Sequence, residues 1–265
     1  MRLFISNLKR YQGYLRGAPV SILKTEVAST YLNWLWWFLE PILFMLTYTF
    51  VASFIFNQKV DYFPLFVFIG LNTWNYFDRC VKRGVVMMRH YRGIVTKTYV
   101  PKYIFVLVQM TLEAIKIAIS YLVLVVMMII YKVPVSWHII ECVPLFITLF
   151  IISFAGCSIM LHFGVFISDL EKIVTVVLRL VFYMSGVFYS IAANKRLAKN
   201  HPFAQVLLLK VNPVACVMDG LRNCILYQKS PDWFWVGIWA GVGLALCALG
   251  VHLIHKYEAG YVKIS

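Results

Sequence analysis

Gly93-Ile94-Val95-Thr96-Lys97-Thr98-Tyr99-Val100-Pro101-Lys102 closes the stretch that decides how this chain folds. From Arg79 to Lys102 there are seven Lys/Arg and not one Asp or Glu, between two very apolar runs. A short loop this basic between membrane spans is expected on the cytoplasmic side, where positive charge is retained. Its end, an extended Tyr-Val-Pro-Lys feeding directly into the next apolar run, has the form of a docking element.

The composition around it leaves few solvents to choose from. The chain has 265 residues, of which 62% are hydrophobic and 14% charged, with a mean hydropathy of +0.78. A soluble domain carries about 25% charged residues. Too few polar residues are available to cover the apolar surface, so the bilayer is the expected solvent. The net charge of +14 sits mostly in loops flanking apolar runs, where topology and anionic lipid headgroups account for it without nucleic acid. The six cysteines form no C-x-x-C pair and fall mostly in apolar segments, as free thiols packing like small hydrophobes do. The first apolar run begins near residue 34, too far in for an ordinary signal peptide, and reads as a retained span.

Six spans are expected, over about 35–56, 62–77, 103–131, 143–167, 173–191 and 234–255. With the N-terminus inside, the cytoplasmic segments hold fifteen Lys/Arg and the outer ones eight. The first four loops obey the positive-inside rule; residues 192–232 hold six Lys/Arg and do not. That segment is moderately apolar, broken at Asn212-Pro213 and too short to cross twice, so it reads as re-entrant or interfacial helices on the outer face. A cytoplasmic loop with only five spans is the alternative. Ahead of the first span, Phe4, Leu8, Tyr11 and Leu15 recur at helical spacing opposite Lys9, Arg10, Gln12 and Arg16. This predicts a basic amphipathic helix lying in the membrane surface and interrupted at Ala18-Pro19. Residues 1–33 are thus an interface helix and 34–265 one membrane domain, all-α.

The chemistry the chain lacks narrows its role. No G-x-x-x-x-G-K-[ST], H-E-x-x-H or G-x-S-x-G occurs, and the six histidines show no metal-ligand spacing. No cofactor is therefore expected on this chain. Ionisable residues inside spans are functional candidates by default. Glu113 and Lys116 are i,i+3 and read as a local ion pair, while Glu40 sits near a span end beside Pro41. A proton-coupled carrier is not indicated. Aromatic residues make up 17% of the chain. Trp37, Phe44 and Tyr48 fall near one stripe of the first span with Trp36 beside it, and Phe182, Tyr183, Phe188 and Tyr189 lie in the fifth. Aromatic faces stack on sugar rings with little demand on linkage, which suits a polymer that slides; helix packing explains the same residues, and the sequence leaves both open.

In order along the chain, these features resemble the membrane subunit of ABC-2-type exporters, in the branch that exports O-antigen, capsule or teichoic-acid polymers. The resemblance rests on the aromatic, proline-containing lead-in Tyr31–Pro41, the segment Ile94–Lys102 and the acidic turn Ser168-Asp169-Leu170-Glu171-Lys172. Leu209-Lys210-Val211-Asn212-Pro213 with the downstream Arg222 completes it. Ser168 stands where the family often has Arg. The resemblance implies a homodimer with a path between subunits, in a bacterial inner membrane with both termini cytoplasmic. Two copies of a separate P-loop ATPase would bring ATP and Mg and contact residues 79–102 and 168–172, with Arg89, Arg92, Lys97, Tyr99, Pro101, Asp169 and Glu171 as coupling residues. Asn212, Pro213 and Arg222 would form the re-entrant element. A lipid-linked substrate would present a pyrophosphate to basic residues near the membrane surface, where Arg10, Arg16 and Lys24 are candidates alongside plain lipid-headgroup contact. The expected function is therefore the permease of an ATP-driven polysaccharide exporter. The alternatives are an ABC-2 permease for drugs, small lipids or peptides, and a membrane-embedded enzyme acting on lipids.

Overall fold

The computed structural model describes residues 2–28, 33–54, 60–191 and 202–264. Tyr31 and Leu32 of the lead-in motif, and the side chains of Trp34 and Trp37, lie outside the described residues. Among the described residues every regular element is helical. In chain order these are α1 (Arg2–Arg10), α2 (Gln12–Ala28), α3 (Asn33–Phe54), α4 (Phe63–His90), α5 (Arg92–Val95) and α6 (Lys102–Ile130). They continue as α7 (Cys142–Phe166), α8 (Leu170–Met184), α9 (Pro202–Val206), α10 (Pro213–Leu226) and α11 (Trp233–Ile264).

Three elements are long and apolar enough to cross a membrane: α6, α7 with its leading 3-10 turn (Trp137–Phe166), and α11 over Trp233–Glu258. Long, predominantly apolar runs, with Pro144 confined to the first turn of α7, place α6 and α7 within a residue of the expected third and fourth spans. A bent pair, Phe203–Val211 and Pro213–Leu226, reaches span length only when taken together and turns through 85°. In α3 the apolar stretch Phe38–Val51 is shorter than a full crossing.

α4 and α7 form the heart of the bundle, with α11 on the far side of α7 and α6, α3 and α10 against α4. Leu65 to Trp74 of α4 are buried without interruption, as a helix enclosed on all sides requires. Small residues let α4 and α7 approach closely. A Cβ on Gly164 would strike the Val85 carbonyl, and one on Gly84 would come within 2.5 Å of the Cys157 carbonyl oxygen. The outer surface of α6 carries Leu122, Val125, Val126, Ile129 and Ile130 exposed, the face a hydrocarbon solvent selects.

Three sequence expectations need correction. The basic segment is not a loop along its length: α4 continues to His90, so Arg79–His90 is helical. Lys, Arg and Met are good helix formers, and Gly84 is held in place by packing. Pro19 does not interrupt the N-terminal helix. The break falls at Tyr11, and Pro19 lies buried inside α2, where it removes one backbone donor without ending the helix. The fifth span stops at Met184, giving 15 residues, or about 22 Å, against a hydrocarbon core of about 30 Å. Its end is set by Gly186, whose φ of 67° is left-handed, where a Cβ would also strike Ile191.

Candidate functional site

The expected coupling residues lie at the basic end of the bundle. Pro101 caps α6 with φ −54° and ψ 126°, so residues 96–101 project as a loop from the end of α5. Tyr99 is 65% exposed, yet its hydroxyl donates to Glu258 Oε1 of α11 at 2.8 Å. That bond, more than its partial burial, pushes its pKa up to about 12. Tyr11 donates to the Tyr99 carbonyl at 3.1 Å, and Asn7 Nδ2 donates to the Tyr103 hydroxyl at 2.8 Å. The N-terminal helices, the Tyr-Val-Pro loop and the end of α11 are thereby tied together. Arg89 at the end of α4 pairs with Glu171 in the first turn of α8 at 2.9 Å. This contact brings the 79–102 and 168–172 segments side by side. Arg92, Lys97 and Asp169 are exposed on the same elements.

The aromatic residues converge as well. Phe44 stacks on Tyr48 with centroids 6.3 Å apart, and Tyr48 stacks on Phe188 at 3.5 Å. Phe188 meets Phe182 edge-on at 5.2 Å, and Phe182 reaches Trp74 of α4 at 5.6 Å and Tyr183 at 5.4 Å. Tyr189 donates to the Tyr183 carbonyl at 2.9 Å. A continuous aromatic ladder thus runs from α3 across the 185–191 turn to α8 and α4. Phe44 and Tyr183 lie at its exposed margin. Trp36 is also exposed but stands eight residues before Phe44, about 12 Å along the helix, and does not join the ladder.

At the opposite end the Asn-Pro element has a local physical explanation. Asn212 Oδ1 accepts from the backbone N–H groups of Val214 and Ala215 at 3.1 and 3.2 Å, capping α10 with Pro213 in its first turn. Its Nδ2 donates to Ser185 Oγ at 2.8 Å. Arg222, further along α10, is buried and donates to the carbonyls of Phe66 (3.1 Å), Gly186 (3.0 Å) and Val187 (2.9 Å). Its guanidinium also lies 3.4 Å from the centre of the Phe66 ring. Both motif residues therefore clamp the turn that ends α8. Arg10, Arg16 and Lys24 are exposed along α1 and α2 rather than gathered at one point.

Sequence reasoning missed a further constellation. The Glu113–Lys116 pair, at 3.8 Å, is the centre of a ladder across four helices. Lys116 reaches Glu26 of α2 at 2.9 Å, while Arg79 of α4 lies 3.8 Å from Glu113 and 3.0 Å from Glu40 of α3. Gln109 donates to Glu113 at 3.0 Å. Several charges at one depth of an apolar bundle each require partners, and that was the available signal.

One more cluster tests an enzymatic alternative. Ser230 Oγ lies 3.3 Å from His138 Nδ1, and Glu141 is 3.0 Å from that same nitrogen. A relay needs nucleophile and acid on opposite ring nitrogens, so this cluster does not form a triad. Among the described residues, no group of three His, Cys, Asp or Glu is placed to hold a metal ion.

An all-helical membrane protein with a strongly basic end and no P-loop motif has the form of a transport subunit. No family model matches the chain. Curated proteins do match: it is 25% identical over 228 residues to the O-antigen export system permease protein RfbA of Myxococcus xanthus, covering 86% of each chain. It is 22% identical over 262 residues to the Klebsiella pneumoniae protein of that name, covering 97% of this chain and 98% of the relative. A second K. pneumoniae protein of the same name is 21% identical over the same coverage. The resemblance to polysaccharide-exporting permeases read from the motifs holds along nearly the whole length, and each of these relatives is named as an export system permease.

Proposed function

We propose that this chain is the membrane permease of an ATP-driven exporter that moves lipid-linked polysaccharide of the O-antigen type across the bacterial plasma membrane. The observation that carries the reading is the near full-length similarity to O-antigen export permeases in a chain with no P-loop of its own. Polymers of capsule or teichoic-acid type fit the same mechanics. ATP and Mg belong to a separate P-loop ATPase, two copies of which would serve a homodimer of this chain.

In this arrangement α3, α4, α6, α7, α8 and α11 are the six membrane segments, and α9–α10 is the re-entrant pair on the outer face. The N-terminal helices lie in the cytoplasmic interface, and both termini are cytoplasmic. Seven Lys/Arg in 79–102 support that orientation. Closure of the ATPase would push on the 96–101 loop and the α7–α8 turn, and the exposed Arg89–Glu171 pair sets the end of α4 beside that turn. Phe44 and Tyr183, at the exposed margin of the aromatic ladder, would offer stacking faces to a sliding sugar chain. Affinity purification of the tagged permease from native membranes, followed by ATP-dependent export in vesicles, tests the reading. The expected result is a co-purifying ATPase without membrane spans and export that stops without ATP; a monomer active without ATP contradicts it.

A further inference from the structure

Two thiols meet where the 3-10 turn Trp137–Glu141 enters α7 and α10 passes beside it. Cys142 opens α7 and Cys224 lies in the last turn of α10. Both are buried, at 7% and 1% exposure, and their side chains are hydrogen-bonded to each other. The two helices approach closely here. A Cβ on Gly220, one turn before Cys224, would come within 3.0 Å of Leu145 Cδ2, three residues after Cys142.

The pair also has a route for its protons. Cys224 Sγ lies 3.9 Å from Glu141 Oε2, and the other carboxylate oxygen is 3.0 Å from both His138 Nδ1 and Ser230 Oγ. His138 is partly exposed beside Trp137, which is 86% exposed, so the cluster opens toward the 131–136 loop. The remaining cysteines are placed differently. Cys80 and Cys157 have no exposed surface inside the bundle, Cys216 lies eight residues before Cys224, and Cys247 donates to the Ile151 carbonyl at 3.2 Å. Under the export reading the α6–α7 loop and α10 stand on the outer face, in the compartment where thiols are oxidised.

We propose that Cys142 and Cys224 form a disulfide on the outer face, made by exchange with an incoming disulfide of more positive potential, and that this bond latches α10 to α7. The proposal rests on the topology of the export reading. Cys142, the less buried of the two, attacks one sulfur of the incoming disulfide, and the other sulfur leaves as a thiolate. Cys224 then passes its proton to Glu141 and its sulfur attacks that of Cys142, releasing the second incoming sulfur. Two electrons pass to the incoming disulfide, and the two thiol protons end on its departing sulfurs. Arg222, two residues before Cys224, already holds the carbonyls of Phe66, Gly186 and Val187. The bond therefore ties that clamp covalently to α7.

The test traps thiols in intact cells that express the full-length permease. Cells are quenched in acid, free thiols are alkylated with N-ethylmaleimide, and the protein is mapped by peptide mass without reductant. A linked peptide pair holding Cys142 and Cys224 is expected, with Cys80, Cys157, Cys216 and Cys247 alkylated. Dithiothreitol should lower the melting temperature of the purified wild type by several degrees, to that of Cys142→Ser/Cys224→Ser, and leave that variant unmoved. Both thiols alkylated in cells, a different pairing, a bond only between two copies, or a wild-type melt indifferent to dithiothreitol overturns the proposal. The trapping uses wild type alone, so it decides the matter even where the double variant fails to fold. Val135→Cys, at a position 75% exposed in the α6–α7 loop, tests the topology separately with a membrane-impermeant maleimide on spheroplasts. Reduced Cys142 and Cys224 with that position labelled count against the disulfide alone, whereas an unlabelled position counts against the topology of the export reading.

Discussion

The two ends of the molecule use arginine in opposite ways. At one end Arg222 is buried and each of its three guanidinium nitrogens donates to a backbone carbonyl, of Phe66, Gly186 or Val187. At the other, Arg89 meets Glu171 with both side chains more than half exposed, at 55% and 54%. A buried cation held by several partners is very costly to disturb, whereas an exposed ion pair contributes about 0–1 kcal/mol. Under the export reading, the first end is expected to keep its shape through a transport cycle. The second separates at little cost and suits a lever that a partner pushes.

That contrast breaks first at Arg222. Arg222→Ala should cost at least about 3 kcal/mol, read as a lower melting temperature and poor recovery in detergent, since three carbonyls lose a charged donor. Retention of wild-type stability would make the clamp ornamental. Replacing Tyr99 with Phe or Pro101 with Ala should leave the protein inserted and bound to its ATPase while export per ATP hydrolysed falls several-fold. Unchanged coupling in both variants would remove the loop from the mechanism. Tyr48→Ala ends the stack on Phe188, about 0.5–1.5 kcal/mol beyond the area it buries, and should reduce polymer export more than assembly. Equal losses in both assays would return the ladder to packing. Arg89→Ala should shift the melting point little, by about 1 kcal/mol or less, yet reduce coupling. The smallest effect concerns Asp232, whose pKa is held below the usual carboxylate range mainly by its bond from Lys210. Its contribution is complete above about pH 4 and fades as pH falls through the lower folded value, so Asp232→Asn should flatten the acid limb of the melting curve.

How much of this the sequence discloses depends on how far the deciding partners lie. α6 and α7 are legible because long apolar runs fix their ends locally. The end of α8 is not, because Ser185-Gly186 is a weak stop inside an apolar run. It is made firm by Asn212 and Arg222, 27 and 36 residues from the groups they hold. The helical course of Arg79–His90 was hidden for a related reason: positive charge reports the side of the membrane but not whether the backbone coils. The aromatic ladder is partly legible, since Phe44 and Tyr48 share a face by spacing alone, but their contact with Phe188 needs the fold. The ion ladder was read only at its centre. Glu26, Glu40 and Arg79 sit on three other helices, and no local spacing connects them with Glu113.

The central claim is that the Tyr-Val-Pro loop and the α7–α8 turn form one surface for the ATPase. A photo-crosslinking residue at Lys97, exposed beside Tyr99, tests it in membranes with both subunits present. The account predicts a covalent adduct of the permease with the ATPase that changes in yield when ATP is bound. Adducts with lipid alone, while the ATPase still co-purifies, would contradict it.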